Sequence, residues 1–238
     1  PDNMDSYDLV LQGLEYAKKG NVMKENTQKA VELFEKAIEL EPSYARAHAW
    51  RACTLSNLAD WEESPDPKIF ENAFESIKLA LELDSNEPEV HRIMGALKLW
   101  HERDHEMARY HFEKARELCP SDVFIISRYA IMLIYFGEFD KALQELERAK
   151  RLDPFSHDLL FGPEAICHYW LDNPEEALQT FKKVKVKKNF LFYIALANKK
   201  SGNNDTASEN LKEAYALTGM DNDLSLIHIS EPTRQPNI

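Results

Sequence analysis

The residues that most invite a chemical reading are His101-Glu102-Arg103-Asp104-His105. They satisfy H-E-x-x-H, the spacing at which two imidazoles one helical turn apart hold zinc while the Glu acts as general base. That chemistry needs both imidazoles on one face of a continuous helix and a third ligand downstream, for which His111 or Glu117 would have to serve. The flanking pattern argues otherwise. Trp100 closes one apolar-periodic segment and Ala108 belongs to the next, so a turn separates the imidazoles, and a solvated polar turn is the preferred reading. The basic run Lys182, Lys183, Lys185, Lys187 and Lys188 would suit an acidic partner or a nucleic acid. Val184 and Val186 alternate with the lysines and leave no aromatic stacking partner inside the run. Cations at the end of a helix complement its dipole, so the run is read as the solvated end of a helix. Cys53, Cys119 and Cys167 lie 66 and 48 apart, neither a disulfide framework nor a metal knuckle, and are read as small buried hydrophobes. Trp50, Trp61, Trp100 and Trp170 are read as core or turn packing. The seven glycines never cluster, which excludes a P-loop or a dinucleotide fingerprint. No Ser/His/Asp or Cys/His set has supporting local context, so no catalytic residue, metal or cofactor is expected.

Composition narrows the class. Among 238 residues, 29 Lys and Arg face 41 Asp and Glu, a net charge of −12, and 44% of residues are hydrophobic. That is ordinary for a globular protein, and the acidic balance argues against a general nucleic-acid binder. Uncharged stretches such as Val123–Ser127 and Tyr129–Gly137 fall far short of the roughly 20 residues of a membrane span. No Arg/Lys-then-apolar leader opens the chain. A reducing, cytoplasmic setting is therefore expected, with no membrane partner. The chain opens at Pro1, which fits a start at Met4 or a cut from a longer protein. At the other end, Leu224–Arg234 resembles the in-frame translation of a transposase-type sequencing adapter, with Gln235–Ile238 as index sequence. The tail 224–238 is thus expected to be non-native and unstructured, and the chain to be a gene fragment.

Residues 1–223 repeat with a period near 34. The signature is an Ala, a large apolar residue four on, and a small residue three further. It appears as Ala30/Phe34/Ala37, Ala73/Ile77/Ala80, Ala108/Phe112/Ala115, Ala142/Leu146/Ala149, Ala177/Phe181/Val184 and Ala207/Leu211/Ala214. Spacings of 4 and 7 put the three side chains on one helical face. Pro42, Pro120 and Pro154 stop three of these helices, and Ser43, Ser121 and Ser156 are candidate caps for the helices that follow. Another apolar-periodic helix precedes each signature, carrying a small residue at Gly13, Ala52, Gly95, Ala130, Ala165 or Ala195.

On these residues the chain resembles a tetratricopeptide repeat (TPR) array. The resemblance implies an all-α, right-handed superhelical solenoid of about six helix-turn-helix repeats, at about 7–42, 43–85, 86–120, 121–154, 155–188 and 189–220. It departs from the family pattern in lacking the usual first-helix Trp and in extra residues near Lys24–Gln28 and Trp61–Lys68. A concave groove lined by the first helices would bind a partner peptide or a neighbouring domain. Counted from the small residue, its lining is Arg46, Ala49, Cys53 and Ser56 in the second repeat, and Arg92, Ala96 and Leu99 in the third. The fourth adds Ser127, Ile131 and Ile134, and the fifth Ile166 and Tyr169. The two Arg would take a carboxylate of the peptide, while the apolar positions also suit packing between helices. The Lys/Asn clamp of chaperone-tail-binding repeats is not reproduced. The wording at Ser6–Gly13, Ala80–Arg92 and Leu152–Asp158 is similar to the C-terminal TPR region of bacterial class III adenylate/guanylate cyclase-like proteins. Related arrays follow winged-helix transcription regulators. That resemblance implies a parent with an N-terminal effector domain that the array regulates, not an activity of this chain.

Overall fold

The computed structural model describes residues 2–19, 23–59, 65–155 and 157–218. The adapter-like tail, Trp61 and Ser156 lie outside the described residues. Among the described residues every regular element is helical, and the helices come in antiparallel pairs. The chain divides into two compact units, Pro1–Pro120 and Ser121–Ile238. The first holds α1 (Met4–Lys19), α2 (Lys24–Leu40), α3 (Ala45–Ala59), α4 (Pro67–Leu83), α5 (Pro88–Leu97) and α6 (His105–Leu118). The second holds α7 (Val123–Tyr135), α8 (Phe139–Leu152), α9 (His157–Trp170), α10 (Pro174–Phe181), α11 (Leu191–Lys200) and α12 (Asn204–Thr218).

The signature residues build the seam of each pair. Ala30, Phe34 and Ala37 are buried, as are Ala73, Ile77 and Ala80, Ala108, Phe112 and Ala115, and Ala142, Leu146 and Ala149. Volume is matched across the seam where it is tightest. A Cβ added at Gly13 would sit 2.7 Å from the Phe34 ring, and one at Gly95 2.9 Å from the Phe112 ring. Where the bulky residue is Ile77 or Leu146, the opposite helix carries Ala52 or Ala130 instead. At the Gly13 and Gly95 seams close packing leaves no room for both the Phe ring and a Cβ.

Helix ends follow local chemistry. The carbonyls of Ala37, Ala80, Ala115 and Ala149 accept from the N–H of Glu41, Asp84, Cys119 and Asp153, after which the backbone leaves helical geometry. The expected serine caps are corrected. Asp122, not Ser121, caps α7, its carboxylate accepting from the N–H of Phe124 and Ile125. In α3 the first carbonyl acceptor is Tyr44, one residue past Ser43. Carboxylates of Asp66, Glu87 and Asp104 cap α4, α5 and α6. Their charge also suits the positive helix end.

The turns inside the last four pairs share a left-handed residue: Arg103, Gly137, Asp172 and Gly202, with φ of 55°, 75°, 67° and 82°. After the last three, the next N–H bonds a carbonyl five residues back, from Glu138 to Leu133, Asn173 to His168 and Asn203 to Asn198. After Arg103 the reach is six, from Asp104 to Lys98. The third repeat has one more residue between its small residue and its turn, and the π turn Lys98–Glu102 absorbs it.

The second unit departs from the pattern once. α10 stops at Phe181 after 8 residues, where α6 and α8 run 14 each. The basic run therefore lies beyond the helix rather than in its last turn, contrary to the sequence reading. Val184 is outside the helix as well, yet only 3% exposed, packed with Ala165, Ala177, Phe181 and Ala197. It keeps its core role without the helical spacing that nominated it.

Candidate functional site

The H-E-x-x-H residues are split by the turn. His101 belongs to the π turn, Arg103 is left-handed, and Asp104 caps α6, which His105 opens. His101 is half-buried rather than solvated: its Nε2 lies 2.6 Å from Ser56 Oγ and its ring centroid 4.7 Å from that of Phe70. Among the described residues no three His, Cys, Asp or Glu side chains gather as a metal site would require. His111 instead pairs with His91, Nδ1 to Nδ1 at 2.9 Å. His91 Nε2 sits 2.9 Å from the Ser85 carbonyl, so it carries the proton, which leaves His91 Nδ1 to accept from His111. Burial, then the nearby His91 and Lys98, push His111 down to about 4.

In the first unit, the residues nominated on α3 and α5 form an ionic seam. Glu87, at the start of α5, accepts from Arg46 Nη2 at 3.0 Å and from the Glu89 N–H at 3.2 Å. Arg92 is 4% exposed, and its Nε donates to Glu89 Oε2 at 2.7 Å. Its guanidinium lies 5.0 Å from the Trp50 ring centre, and Trp50 stacks on Phe34. Burial works against the Arg92 charge, but Glu89 and Cys53 beside it more than compensate and hold its pKa above the ordinary value. Both nominated Arg thus already hold a carboxylate of their own unit. Cys53 and Ala96 are half-buried, Ala49 and Ser56 buried. Leu99, set in the π turn, is 1% exposed. Ala49 and Leu99 offer no surface to a partner and act as packing.

In the second unit the face is apolar. Ser127 is buried, and its hydroxyl donates to the Leu159 carbonyl at 3.0 Å, tying α7 to α9; it too is packing rather than lining. Ile131 and Ile134 on α7 are half-buried, as are Ile166 and Tyr169 on α9. The last two pack against the same buried cluster as Tyr193 and Ile194 of α11, the Tyr169 and Tyr193 rings meeting edge-on at 6.2 Å. Lys200 Nζ lies 5.2 Å from the Tyr169 ring centre and 2.6 Å from Asp172. Burial pushes the Tyr169 hydroxyl up, against the pull of Lys200. Sequence reasoning missed Tyr193 and Ile194. An aromatic residue two before the small residue of the helix, as Trp50 is in α3, was the available signal.

Other expectations are revised by burial. Only Cys167 is fully buried, its thiol pushed up to about 12 by burial and by Glu164 and Asp140; Cys53 and Cys119 are half-buried. Trp100 is 45% exposed, its ring edge-on to Phe112, whereas Trp170 stacks on Phe139 at 6.0 Å. No helix among the described residues is long and apolar enough to cross a membrane.

Stacked helix pairs with small-beside-bulky seams define an α-helical repeat protein, and the comparisons name the repeat. The tetratricopeptide repeat family model matches residues 33–64. No curated protein matches the sequence significantly. Solved structures do. Pseudomonas aeruginosa PilF aligns with a TM-score of 0.61 at 19% identity, over 96% of this chain and 98% of PilF. A monomeric mutant of IFIT1 solved with Gppp-AAAA aligns at 0.71 and 19%, over 88% of this chain and 50% of that one. YrrB, described as a TPR protein with an unusual peptide-binding site, aligns at 0.50 and 21%, over 84% and 98%. At these identities the likeness is one of fold, and the fold is that of a tetratricopeptide-repeat protein. Nothing in these comparisons supports the cyclase-like or winged-helix parent implied by the sequence wording.

Proposed function

We propose that this chain is a protein–protein interaction scaffold without catalysis of its own, holding a peptide segment or a neighbouring domain on the faces of its odd-numbered helices. One observation carries the reading: Ile131, Ile134, Ile166 and Tyr169 are half-buried, in register on α7 and α9, each leaving part of its apolar side chain in water. Apolar side chains left partly in water gain when a partner covers them, at about 25 cal/mol for each Å² buried. The peptide-binding site named for YrrB, on the same fold, agrees with this use. Regulation of an effector domain in a parent chain is a narrower form of the same reading and rests on the sequence wording alone. Photo-crosslinking side chains placed at Ile134 and Ile166, and at the exposed Gln144 and Gln179 of α8 and α10, test it in cells. Adducts are expected from the first pair. Adducts from the second pair alone would move the binding face to the even-numbered helices.

A further inference from the structure

Between Glu176 and Asp205 the chain has seven lysines and no other charged residue. The whole chain carries −12, so the rest of it carries −19. Such segregation is not needed for the fold, since α10 has already ended at Phe181 and its dipole engages only the first lysines. The segment that follows is held in place. Val184 is buried in the core of the second unit, and Phe190 fills the space left by Gly162, where a Cβ would come 2.1 Å from its ring. A short 3₁₀ turn, Lys187–Phe190, leads into α11. With Val184 and Phe190 as anchors, Lys182, Lys183, Lys185, Lys187 and Lys188 are all turned to solvent. Lys183 Nζ lies 5.3 Å from the Phe161 ring centre, which leaves its ammonium at the surface.

We infer that this anchored loop is a docking surface for a short acidic polypeptide segment, distinct from the odd-helix face. Charge complementarity selects that occupant. Lysine ammoniums are point charges that attract carboxylates without demanding forked geometry. Screening limits their reach to about 8–10 Å at ordinary salt, so a short ligand feels the loop alone. An extended polyanion, whether nucleic acid or an anionic bilayer, would run on over the rest of the second unit, which carries −10 once the seven lysines are set aside, and be repelled. The alternation with Val184 and Val186 also gives bases nothing to stack on within the run.

The test is fluorescence anisotropy of a labelled twelve-residue Glu-rich peptide with the full chain. Binding is expected at low salt and should weaken by about tenfold or more when salt is raised to about 300 mM. Lys182→Glu/Lys187→Glu/Lys188→Glu should lose about tenfold or more at low salt, the Arg triple should retain binding, and Ile134→Asp should leave it unchanged. That last variant separates this surface from the odd-helix face, so either can fail without the other. If the Glu triple loses its helical circular dichroism, Lys187→Gln/Lys188→Gln is read instead, with a loss of about threefold. No binding at low salt, undiminished binding in the folded variant, or tighter binding of single-stranded DNA or phosphatidylserine vesicles than of the peptide would each overturn the inference.

Discussion

The odd-helix faces of the two units share a register and differ in chemistry. In the first unit Arg46 and Arg92, six and three residues before the small residue of their helices, are matched by Glu87 and Glu89 of the same unit. In the second unit the positions one and four residues past the small residue carry Ile131, Ile134, Ile166 and Tyr169, which no internal partner fully covers. A charge taken out of water must be answered by another charge or by hydrogen bonds. A half-exposed apolar side chain has no such requirement and stays open to a partner. The same backbone pattern therefore builds a locked ionic seam in one unit and a half-buried apolar strip in the other. Perturbing the first should register as stability, and perturbing the second as binding.

The largest effect expected is that of Glu89→Ala. It leaves the buried Arg92 guanidinium without its carboxylate, and loss of one partner of a buried pair costs about 3–5 kcal/mol. Ile134→Asp in the second unit should cost about 1 kcal/mol or less, because the side chain is half in solvent. Urea unfolding midpoints of the two variants decide the matter, and equal destabilisation would erase the distinction between locked and open faces. The same comparison reverses an expectation from sequence alone. There, Arg92 would hold a carboxylate of a peptide; in the structure it is buried against Glu89, so Arg92→Glu sets two carboxylates together and should unfold the first unit.

Next in size is Gly95→Leu, at about 1–3 kcal/mol through overpacking, since even a Cβ would come 2.9 Å from the Phe112 ring. Thermal denaturation checks it, and an unchanged midpoint would mean the α5–α6 seam is looser than drawn. Acid should also act on the first unit, which holds the His91–His111 pair. The folded chain protonates His111 only at about 4, against an ordinary 6.5, because burial and the neighbouring His91 and Lys98 oppose the charge. Between those values the unfolded chain binds the extra proton, so stability is complete above about 6.5 and falls as pH drops toward about 4. Comparing urea midpoints near pH 7 and pH 5, His111→Asn should show a smaller loss than the parent chain. An equal loss would assign the acid sensitivity to other groups.

Much of this fold was legible in the residues because seams are written in side-chain volume. The Ala/bulky/small triplets located every even-numbered helix, and the opposing Gly or Ala located its partner. What remained illegible depended on competition between local signals. Ser121 beside Asp122 offers two caps, and the carboxylate prevails because its charge also meets the helix dipole. The extra residue of the third repeat left no mark in composition, yet the π turn it forces buries Leu99 and brings His101 to Ser56. Groove positions were the least legible. Exposure is decided by the neighbouring helix, so one register offset, four residues past the small residue, yields buried Ser56 and Leu99 beside half-buried Ile134 and Tyr169. Charge partners were hidden for the same reason: nothing in the spacing of Arg46 and Glu87, 41 residues apart, shows that they meet.

The smallest effect sharpens the comparison most. Arg46 has a side chain 39% exposed, and Glu87, its partner, 14%. Removing Arg46 exposes Glu87 to water, and Glu87 Oε1 keeps its bond from the Glu89 N–H. Arg46→Ala should therefore cost about 0.2–1 kcal/mol, the usual worth of a solvent-accessible ion pair. A double-mutant cycle with Glu87→Gln isolates the pairwise part. Coupling within that range, falling as salt is added, would make Arg46 a guanidinium that can exchange its internal carboxylate for that of a partner. Coupling well above about 1 kcal/mol and insensitive to salt would place Arg46 in the same locked seam as Arg92. The ionic face would then have no exchangeable charge, and recognition on the odd-numbered helices would fall to the apolar strip of the second unit.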